Sequence, residues 1–493
     1  MTTASIFPAL AVLVPGLGAF LALLAPESSL KRITFYSLLV TLAGFASVAF
    51  MVPVVMEGLI PESKLLALLP GFELTLRVDL PGLYFGLMSS SLWLFAIVYC
   101  HGYMEGHGSR LNRFYFYYII SMSATMGVAF AGNLFTLYFF FEMLTLATYP
   151  LVIHSGTREA HRSGTRYIIY CLSGGALVVF AWLISQSYLP GTFFQPGGYL
   201  GPLLSDNKTL LTLLLVALVT GFGTKAAIMP LHAWLPGAMV APTPVSALLH
   251  AVAVVKSGVF GIIRVLYFVY NPEIIRELAV ENYLLVLVST TIILASILAL
   301  RQSVLKLRLA YSTIGQLGYI TLGALLFSSL GLTGGMLHLL NHALLKITLF
   351  FCAGAVINET GITSINELKG VGRRMPLTML CFTVGGLGLI GILPINGYIS
   401  KLYLLQGAME SGKPLFAFVI LASSLLNALY YLPIIINAFF REGEFKRPEG
   451  RESPPAMLVP TVILAVLCLA LGLFANMTSI PAAERVAAYI LNF

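Results

Sequence analysis

Charged residues are scarce in this chain. Asp, Glu, Lys and Arg make up 10% of the 493 residues, whereas hydrophobic residues make up 58% and the mean hydropathy is +0.91. A soluble domain carries about 25% charged residues. The composition therefore excludes a soluble enzyme held by one anchor and indicates a protein that crosses the membrane many times.

Cysteine is also rare, and its five copies are isolated from one another. Without a CxxC pair, neither an iron–sulfur cluster nor a zinc site is supported. A GxGxxG match at Gly386, Gly388 and Gly391 follows no strand, so close helix packing explains it better than nucleotide binding. The basic residues are dispersed over short loops, which argues against nucleic acid. The sequence predicts no metal and no cofactor in this chain.

Long apolar runs are abundant instead. A window of about 20 apolar residues crosses a bilayer. The first run has no basic residue before it and is expected to be a span, not a cleaved signal. About fourteen spans are predicted, with boundaries good to a few residues: 4–25, 31–53, 80–103, 114–131, 133–153, 163–188, 209–231, 241–269, 283–300, 305–327, 331–357, 376–408, 414–440 and 455–476.

The distribution of basic residues supports this count. Numbering the connections alternately places seventeen Lys and Arg on one side of the membrane and six on the other. Because cytoplasmic loops carry the excess of positive charge, both termini are expected on the outer side. Arg264, near the outer end of its span, is expected to extend its guanidinium towards water. Segment 57–79 reads as an outer loop with a short hairpin, and segment 481–493 as a short interfacial helix.

Five ionisable residues remain inside the predicted spans. A charged side chain at the bilayer centre costs about 2.5–3.5 kcal/mol on insertion scales, and such residues usually mark an ion or proton path. They are Glu142, Lys225, Lys256, Lys346 and Lys401.

Three spans look interrupted. Proline removes a backbone donor and breaks a helix, which is tolerated at membrane depth only beside protein or water. The residues expected to break the seventh, eighth and twelfth spans are Pro230, Pro242, Pro244, Pro394 and Gly397.

A lysine beside a break recurs in two spans that lie five apart, which indicates a duplicated unit. Repeats of five spans have opposite orientation. The predicted fold is therefore an all-α polytopic membrane protein of about fourteen helices with two inverted five-helix repeats that contain broken helices. Its units are spans 1–3 (1–110), a first repeat (111–270), a second repeat (271–440) and the last span with the tail (441–493).

The buried groups suit proton transfer. Burial in a low-dielectric medium favours the neutral amine over the ammonium, whereas a nearby carboxylate restores the charge. Glu142 and Lys225 are the natural pair, either as a switch or as a static salt bridge. His338, His342 and Lys346 share one helix face at spacings of four and can relay a proton. His250 is equally compatible with a relay or with packing.

Three runs carry a resemblance to a known family: PLHAWLPGAMVAPTPVSALLHAVAVVKSGVFGIIR (230–264), HLLNHALLKITLFFCAG (338–354) and LPINGYISK (393–401). They resemble the antiporter-like subunits of respiratory complex I, of Mrp-type cation/proton antiporters and of membrane-bound hydrogenases. The resemblance implies fourteen helices in two inverted repeats and a Glu142–Lys225 pair. It also implies a central relay of Lys346, or of Lys256 with His250, and Lys401 as the terminal group of the second half-channel.

Departures from the family narrow the expectation. Gly237 stands where members often have an acid, and Lys401 stands where one complex I subunit has Glu. A long lateral helix after the last span is not expected. A D-type subunit of an Mrp antiporter or a related hydrogenase complex fits best. The resemblance implies a prokaryotic cell membrane, and as partners other membrane subunits, including homologous antiporter-like subunits and hydrogenase or oxidoreductase subunits. The transported ions would be protons, with Na⁺ open, and any electron transfer would belong to partners.

Besides an ion-translocating subunit of a membrane complex, two other functions are compatible with a membrane protein of this kind. A stand-alone transporter of a small solute would need a midplane pocket matched to that solute. A structural scaffold would have no use for buried lysines. In this sequence the buried ionisable groups all exchange protons and are spread over several helices, which favours ion translocation.

Overall fold

The computed structural model describes residues 1–26, 29–67, 69, 72–106, 110–204, 207–442 and 452–491. Helices dominate because in lipid each backbone N–H and C=O must find its partner within the same segment. The helices are α1 (Phe7–Leu24), α2 (Leu30–Ala49), α3 (Val52–Met56), α4 (Leu80–Met104), α5 (Leu111–Ala129), α6 (Leu134–Val152), α7 (Arg158–Tyr188), α8 (Lys208–Lys225), α9 (Trp234–Gly237), α10 (Thr243–Ala251), α11 (Val254–Arg264), α12 (Pro272–Glu277), α13 (Glu281–Leu300), α14 (Leu305–Leu325), α15 (Ser329–Thr360), α16 (Val371–Arg374), α17 (Pro376–Ile390), α18 (Gly397–Glu410), α19 (Pro414–Phe440), α20 (Pro455–Leu473) and α21 (Ser479–Leu491).

Eleven helical stretches among the described residues are long and apolar enough to cross a membrane. The prediction of an all-α polytopic membrane protein is confirmed. The other predicted spans correspond to α5, to α14 and to the pair α17 and α18. The count of about fourteen and the inverted repeats remain predictions.

A small sheet lies between α3 and α4, where the sequence predicts a hairpin. Strand β2 (Ile60–Ala67) pairs antiparallel with β3 (Glu73–Arg77), and β1 (Thr2–Ala4) adds to β2 in parallel. The hairpin is therefore confirmed. The N-terminal strand β1 was not predicted, because three residues are too short to show a strand pattern. The predicted terminal helix is α21, which packs against α4 and α15.

Helix α15 is the centre of the bundle. It packs against α10, α14, α17, α18, α20 and α21, and nearly all of its residues from Gly331 to Val356 are buried. The outer helices α1, α2, α13 and α19 instead expose large apolar side chains, as lipid-facing helices do. Polar groups on α15 therefore face protein, which is the environment in which a functional charge persists.

Interruptions occur in three of the predicted spans. α8 ends at Lys225, and α18 follows α17 after a gap at 391–396 that contains Pro394. The eighth span is interrupted at 252–253, between α10 and α11. Pro242 and Pro244 lie at the start of α10, where proline is tolerated, so assigning that break to them was wrong.

Arg264 corrects a second expectation. It is 1% exposed and forms a two-point ion pair with Asp79, the N-cap residue of α4. The guanidinium also lies 4.5 and 4.9 Å from the ring centroids of Phe268 and Phe260. A carboxylate within the protein, and not water at the membrane surface, compensates this charge. All five cysteines are buried and free.

Candidate proton-translocation site

Glu142 on α6 and Lys225 at the end of α8 are brought together. Their nearest atoms, Oε1 and Nζ, are 3.8 Å apart, with Lys225 fully buried and Glu142 13% exposed. Neither Glu142 oxygen accepts a hydrogen bond from the described residues. The Lys225 ammonium instead donates to the Phe141 carbonyl and lies 3.3 Å from the Phe141 ring centroid. The contact is therefore an ion pair that a small movement can tighten or release.

The local sequence explains where Lys225 lies. As the last residue of α8 it sits at the negative end of the helix dipole, which favours a cation. The turn after α8 is held by the Trp234 indole, which donates to the Thr224 carbonyl at 2.8 Å. A Cβ on Gly258 would lie 2.3 Å from the Ala226 nitrogen, so only glycine lets α11 approach the turn. Packing therefore fixes the broken end that carries Lys225.

Lys256 on α11 has a different partner. Its Nζ lies 2.8 Å from Nδ1 of His342, and both side chains are fully buried. His250 on α10 is equally buried, but neither ring nitrogen has a partner among the described residues, and the ring packs 5.0 Å from that of Phe350. The structure thus brings Lys256 and His342 together and leaves His250 beside them without a direct bond.

The three predicted relay residues of α15 do lie on one face, but each has its own partners. His338 contacts the Ser400 hydroxyl at 2.9 Å and the Gln316 amide oxygen at 3.1 Å. His338 and His342 have ring centroids 5.9 Å apart. Lys346 does not bond to either histidine within the described residues. The three residues are therefore separate proton-binding groups that share no direct hydrogen bond among the described contacts. Other groups are needed to move a proton from one to the next.

Lys346 is enclosed by oxygen atoms. Its ammonium donates to the Leu309 carbonyl at 2.9 Å, to the Ser312 hydroxyl at 2.9 Å and to the Tyr431 hydroxyl at 3.1 Å. An ammonium has three N–H donors, so this set satisfies it fully. The geometry holds a charged lysine in place without a carboxylate.

Lys401 on α18 is held in the same way. It donates to the Leu389 carbonyl at 2.7 Å, to the Ile390 carbonyl at 2.9 Å and to the Ser424 hydroxyl at 3.0 Å. The two carbonyls end α17 and have lost their helical partners at the interruption. The break after α17 therefore supplies the acceptors that hold Lys401.

The sequence did not identify the neutral partners. These partners carry no charge and therefore do not stand out in the sequence; they are Ser312, Gln316, Ser400, Ser424 and Tyr431. Their only signal is helical spacing: Ser312 and Gln316 lie four apart and face the same side of α14. Within the described residues no group of three or more His, Cys, Asp or Glu could hold a metal ion.

A wide cleft lies beside the start of α7. It has a volume of about 1240 Å³ and is lined by Arg162, Arg166, Lys306 and His154, among others. Lys306 donates to the Ala241 carbonyl at 2.8 Å, just before α10. Burial, with Arg113 and Arg110 nearby, lowers the pKa of His154 in the loop after α6 to about 4. The cleft reaches Thr243, at the start of the helix α10 that carries His250.

The chain is similar in sequence to known membrane proteins. A family model described as NADH:quinone oxidoreductase/Mrp antiporter, TM, matches residues 131–427. NADH-quinone oxidoreductase subunit N of Desulforudis audaxviator is 36% identical over 401 residues, which covers 77% of this chain and 78% of the relative. A component of a probable K(+)/H(+) antiporter of Rhizobium meliloti is 29% identical over 478 residues, which covers 95% of this chain and 47% of the relative. The chain spans about half the length of that relative.

The fold also has a solved counterpart. A chain of the Mrp complex from Dietzia sp. superposes with a TM-score of 0.88 at 22% identity, covering 99% of this chain and 98% of that one. At this identity the likeness shows the fold.

Proposed function

The chain belongs to the NADH:quinone oxidoreductase/Mrp antiporter transmembrane family, and from that premise we propose that it is a proton-translocating, or cation/proton-translocating, subunit of a multi-subunit membrane complex. One observation carries the proposal: the protein interior holds four buried lysines, each with a distinct set of hydrogen-bonding partners. Three of them lie beside helix interruptions, and Lys346 lies in the continuous helix α15. Groups that gain and lose protons, arranged in sequence through a protein interior, are what a proton path needs.

The path begins at Glu142 and Lys225 and ends at Lys401. Between them lie Lys256 with His342, and then Lys346. Within the described residues no direct hydrogen bond joins Lys225 to Lys256, so transfer at that step requires water. The Glu142–Lys225 pair sets the proton affinity of Lys225, because separating the two charges makes the buried ammonium more costly.

The same proposal includes the architecture. The segments 111–270 and 271–440 are two inverted repeats, between an N-terminal unit (1–110) and a C-terminal unit (441–493), and both termini face outward. Each repeat places a lysine beside an interruption, Lys225 in the first and Lys401 in the second. Inverted repeats would open these two sites to opposite faces of the membrane.

The assembly is either an Mrp-type antiporter, with this chain in the D-type position, or a redox-driven complex. Both kinds of protein occur among the relatives reported above. In either case the chain carries no redox chemistry of its own and works beside other membrane subunits of a cell membrane. Whether Na⁺ also passes depends on the assembly.

A transport assay tests the proposal. The complex that contains Glu142→Gln should assemble but fail to move protons in proteoliposomes, and Lys401→Ala should do the same. Glu367→Gln, at an exposed carboxylate outside the spans, is the matched control and should behave as wild type. Wild-type proton movement in Glu142→Gln or Lys401→Ala would reject the proposal, and loss of assembly in Glu142→Gln would indicate a static salt bridge instead.

A further inference from the structure

Neutral side chains of α14 and α19 connect Lys346 to Lys401. The Ser312 hydroxyl accepts from Lys346 and lies 3.0 Å from the Tyr430 hydroxyl. The Tyr430 hydroxyl lies 2.6 Å from the Asn427 amide oxygen. The Asn427 amide donates to the Leu389 carbonyl at 3.1 Å, and that carbonyl also accepts from Lys401. The two lysines are therefore the ends of one hydrogen-bonded chain.

Tyr430 is the point at which this chain can reverse. Its hydroxyl has a single hydrogen but two acceptors within reach, Ser312 Oγ and Asn427 Oδ1. It can donate to only one of them at a time. Two arrangements of the same side chains are thus available without any movement of the backbone.

The charge of Lys346 selects between them. When Lys346 is an ammonium, it donates to the hydroxyls of Ser312 and Tyr431. Tyr431, whose hydroxyl lies 2.8 Å from that of Ser312, then donates to Ser312, and Ser312 donates onward to Tyr430. Tyr430 then donates to Asn427. When Lys346 is a neutral amine, its lone pair can accept from Ser312, and Ser312 in turn accepts from Tyr430. The Asn427 oxygen then loses its donor.

We propose that Tyr430 is a positioning residue that couples the charge of Lys346 to the hydrogen bonding of Lys401, a proposal that rests on the function proposed above. The coupling acts because Asn427 and Lys401 share the Leu389 carbonyl. An Asn427 amide polarised by Tyr430 donates more strongly to that carbonyl and competes with the Lys401 ammonium for it. A positive charge on Lys346 thus weakens the hydrogen bond between the Lys401 ammonium and the Leu389 carbonyl. This change favours release of a proton from Lys401.

Other titratable groups surround the chain and share in its electrostatics. They are Lys256, His250 and His342 around Lys346, and Tyr319, Tyr431 and Arg308 around Tyr430. Arg308 is held by its own contacts, including one from Nη1 to the Tyr430 carbonyl at 2.9 Å. None of them provides a second link from Ser312 to Asn427 among the described contacts, so Tyr430 can be tested alone.

The test uses the assembled complex in proteoliposomes and measures the proton-transport rate against pH. Tyr430→Phe keeps the ring and removes the hydroxyl, and Asn427→Leu removes the second acceptor. Each should lower the rate by about tenfold, the scale of a lost hydrogen bond in a charged network, and change the pH midpoint of transport. Because both break the same chain, the double variant should be no slower than either single variant.

A matched control is Tyr267→Phe, which removes a buried hydroxyl that donates to the Ala324 carbonyl at 2.7 Å. It should keep the wild-type pH midpoint. A wild-type rate and midpoint in Tyr430→Phe, or losses that add in the double variant, would overturn the coupling. If Tyr430→Phe fails to assemble, a wild-type profile in Asn427→Leu overturns it as well. A wild-type complex that moves no protons would instead reject the proposed function.

Discussion

The ion pair between Asp79 and Arg264 offers a sharp test of the packing. Arg264 donates to both oxygens of Asp79, and their side chains are 1% and 9% exposed. Asp79 also caps α4 by accepting from the Gly82 amide at 3.0 Å. Asp79→Asn keeps an oxygen for the cap but removes the charge. The variant therefore leaves a buried guanidinium among aromatic rings without a counter-charge.

The size of the effect follows from burial. Breaking a buried ion pair by removing one partner costs about 3–5 kcal/mol, because the remaining charge is left uncompensated. Asp79→Asn should lower the free energy of unfolding by this amount. Adding Arg264→Met removes the stranded charge and keeps apolar contact with the rings, so the double variant should recover a large part of the loss.

Equilibrium unfolding of the purified complex in mixed micelles measures the difference. The matched control is Glu442→Gln, because its partner Arg373 is 62% exposed and Glu442 is 86% exposed. Exposed pairs contribute little, so this variant should unfold like wild type. If Asp79→Asn costs no more than Glu442→Gln, or if Arg264→Met worsens the Asp79→Asn variant, the argument from burial is wrong.

Two further predictions concern glycine packing and acid stability. A Cβ on Gly175 would lie 2.2 Å from Glu142 Oε1, so Gly175→Ala should displace the carboxylate and reduce the proton-transport rate by about tenfold. The control is Gly386→Ala, because a Cβ on Gly386 would lie no closer than 3.5 Å to its nearest neighbouring atom. Equal transport rates in the two variants would contradict the reasoning. Burial and the nearby Arg113 lower the pKa of His154 to about 4 in the folded protein. Below about pH 6.5 this histidine is protonated in the unfolded chain but still neutral in the folded one, so the free energy of unfolding falls as the pH drops. His154→Gln should therefore lose less thermal stability than wild type between pH 7 and pH 5, and an identical loss would refute this origin.

Much of the fold could be predicted from composition, because an apolar background makes each buried charge visible. The burial of Glu142 and of the four lysines is predictable in this way. The hairpin beside α3 is predictable from the mixed composition of segment 57–79. Arg264 was misjudged because its partner, Asp79, lies 185 residues away in the sequence. Long-range pairing of this kind leaves no local pattern.

The helix interruptions show the same limit. Proline marks the gap after α17, where Pro394 lies, but the interruption of the eighth span at 252–253 contains only Val and Ala. A helix can break where its neighbours supply partners for the freed backbone groups, and that depends on tertiary packing. The hydroxyl partners of Lys346 escaped prediction for a related reason, since Ser312 and Tyr431 become distinctive only when α14 and α19 meet.

The burial of all five cysteines gives this chain a practical property. Thiol reagents dissolved in water react with accessible thiolates, and a thiol sealed within packed helices is shielded from them. The natural cysteines should therefore react little with such reagents, so an introduced cysteine can be labelled selectively in the native chain. A single cysteine placed at Ser163, on the wall of the cleft beside α7, would report solvent access there without removal of any natural thiol.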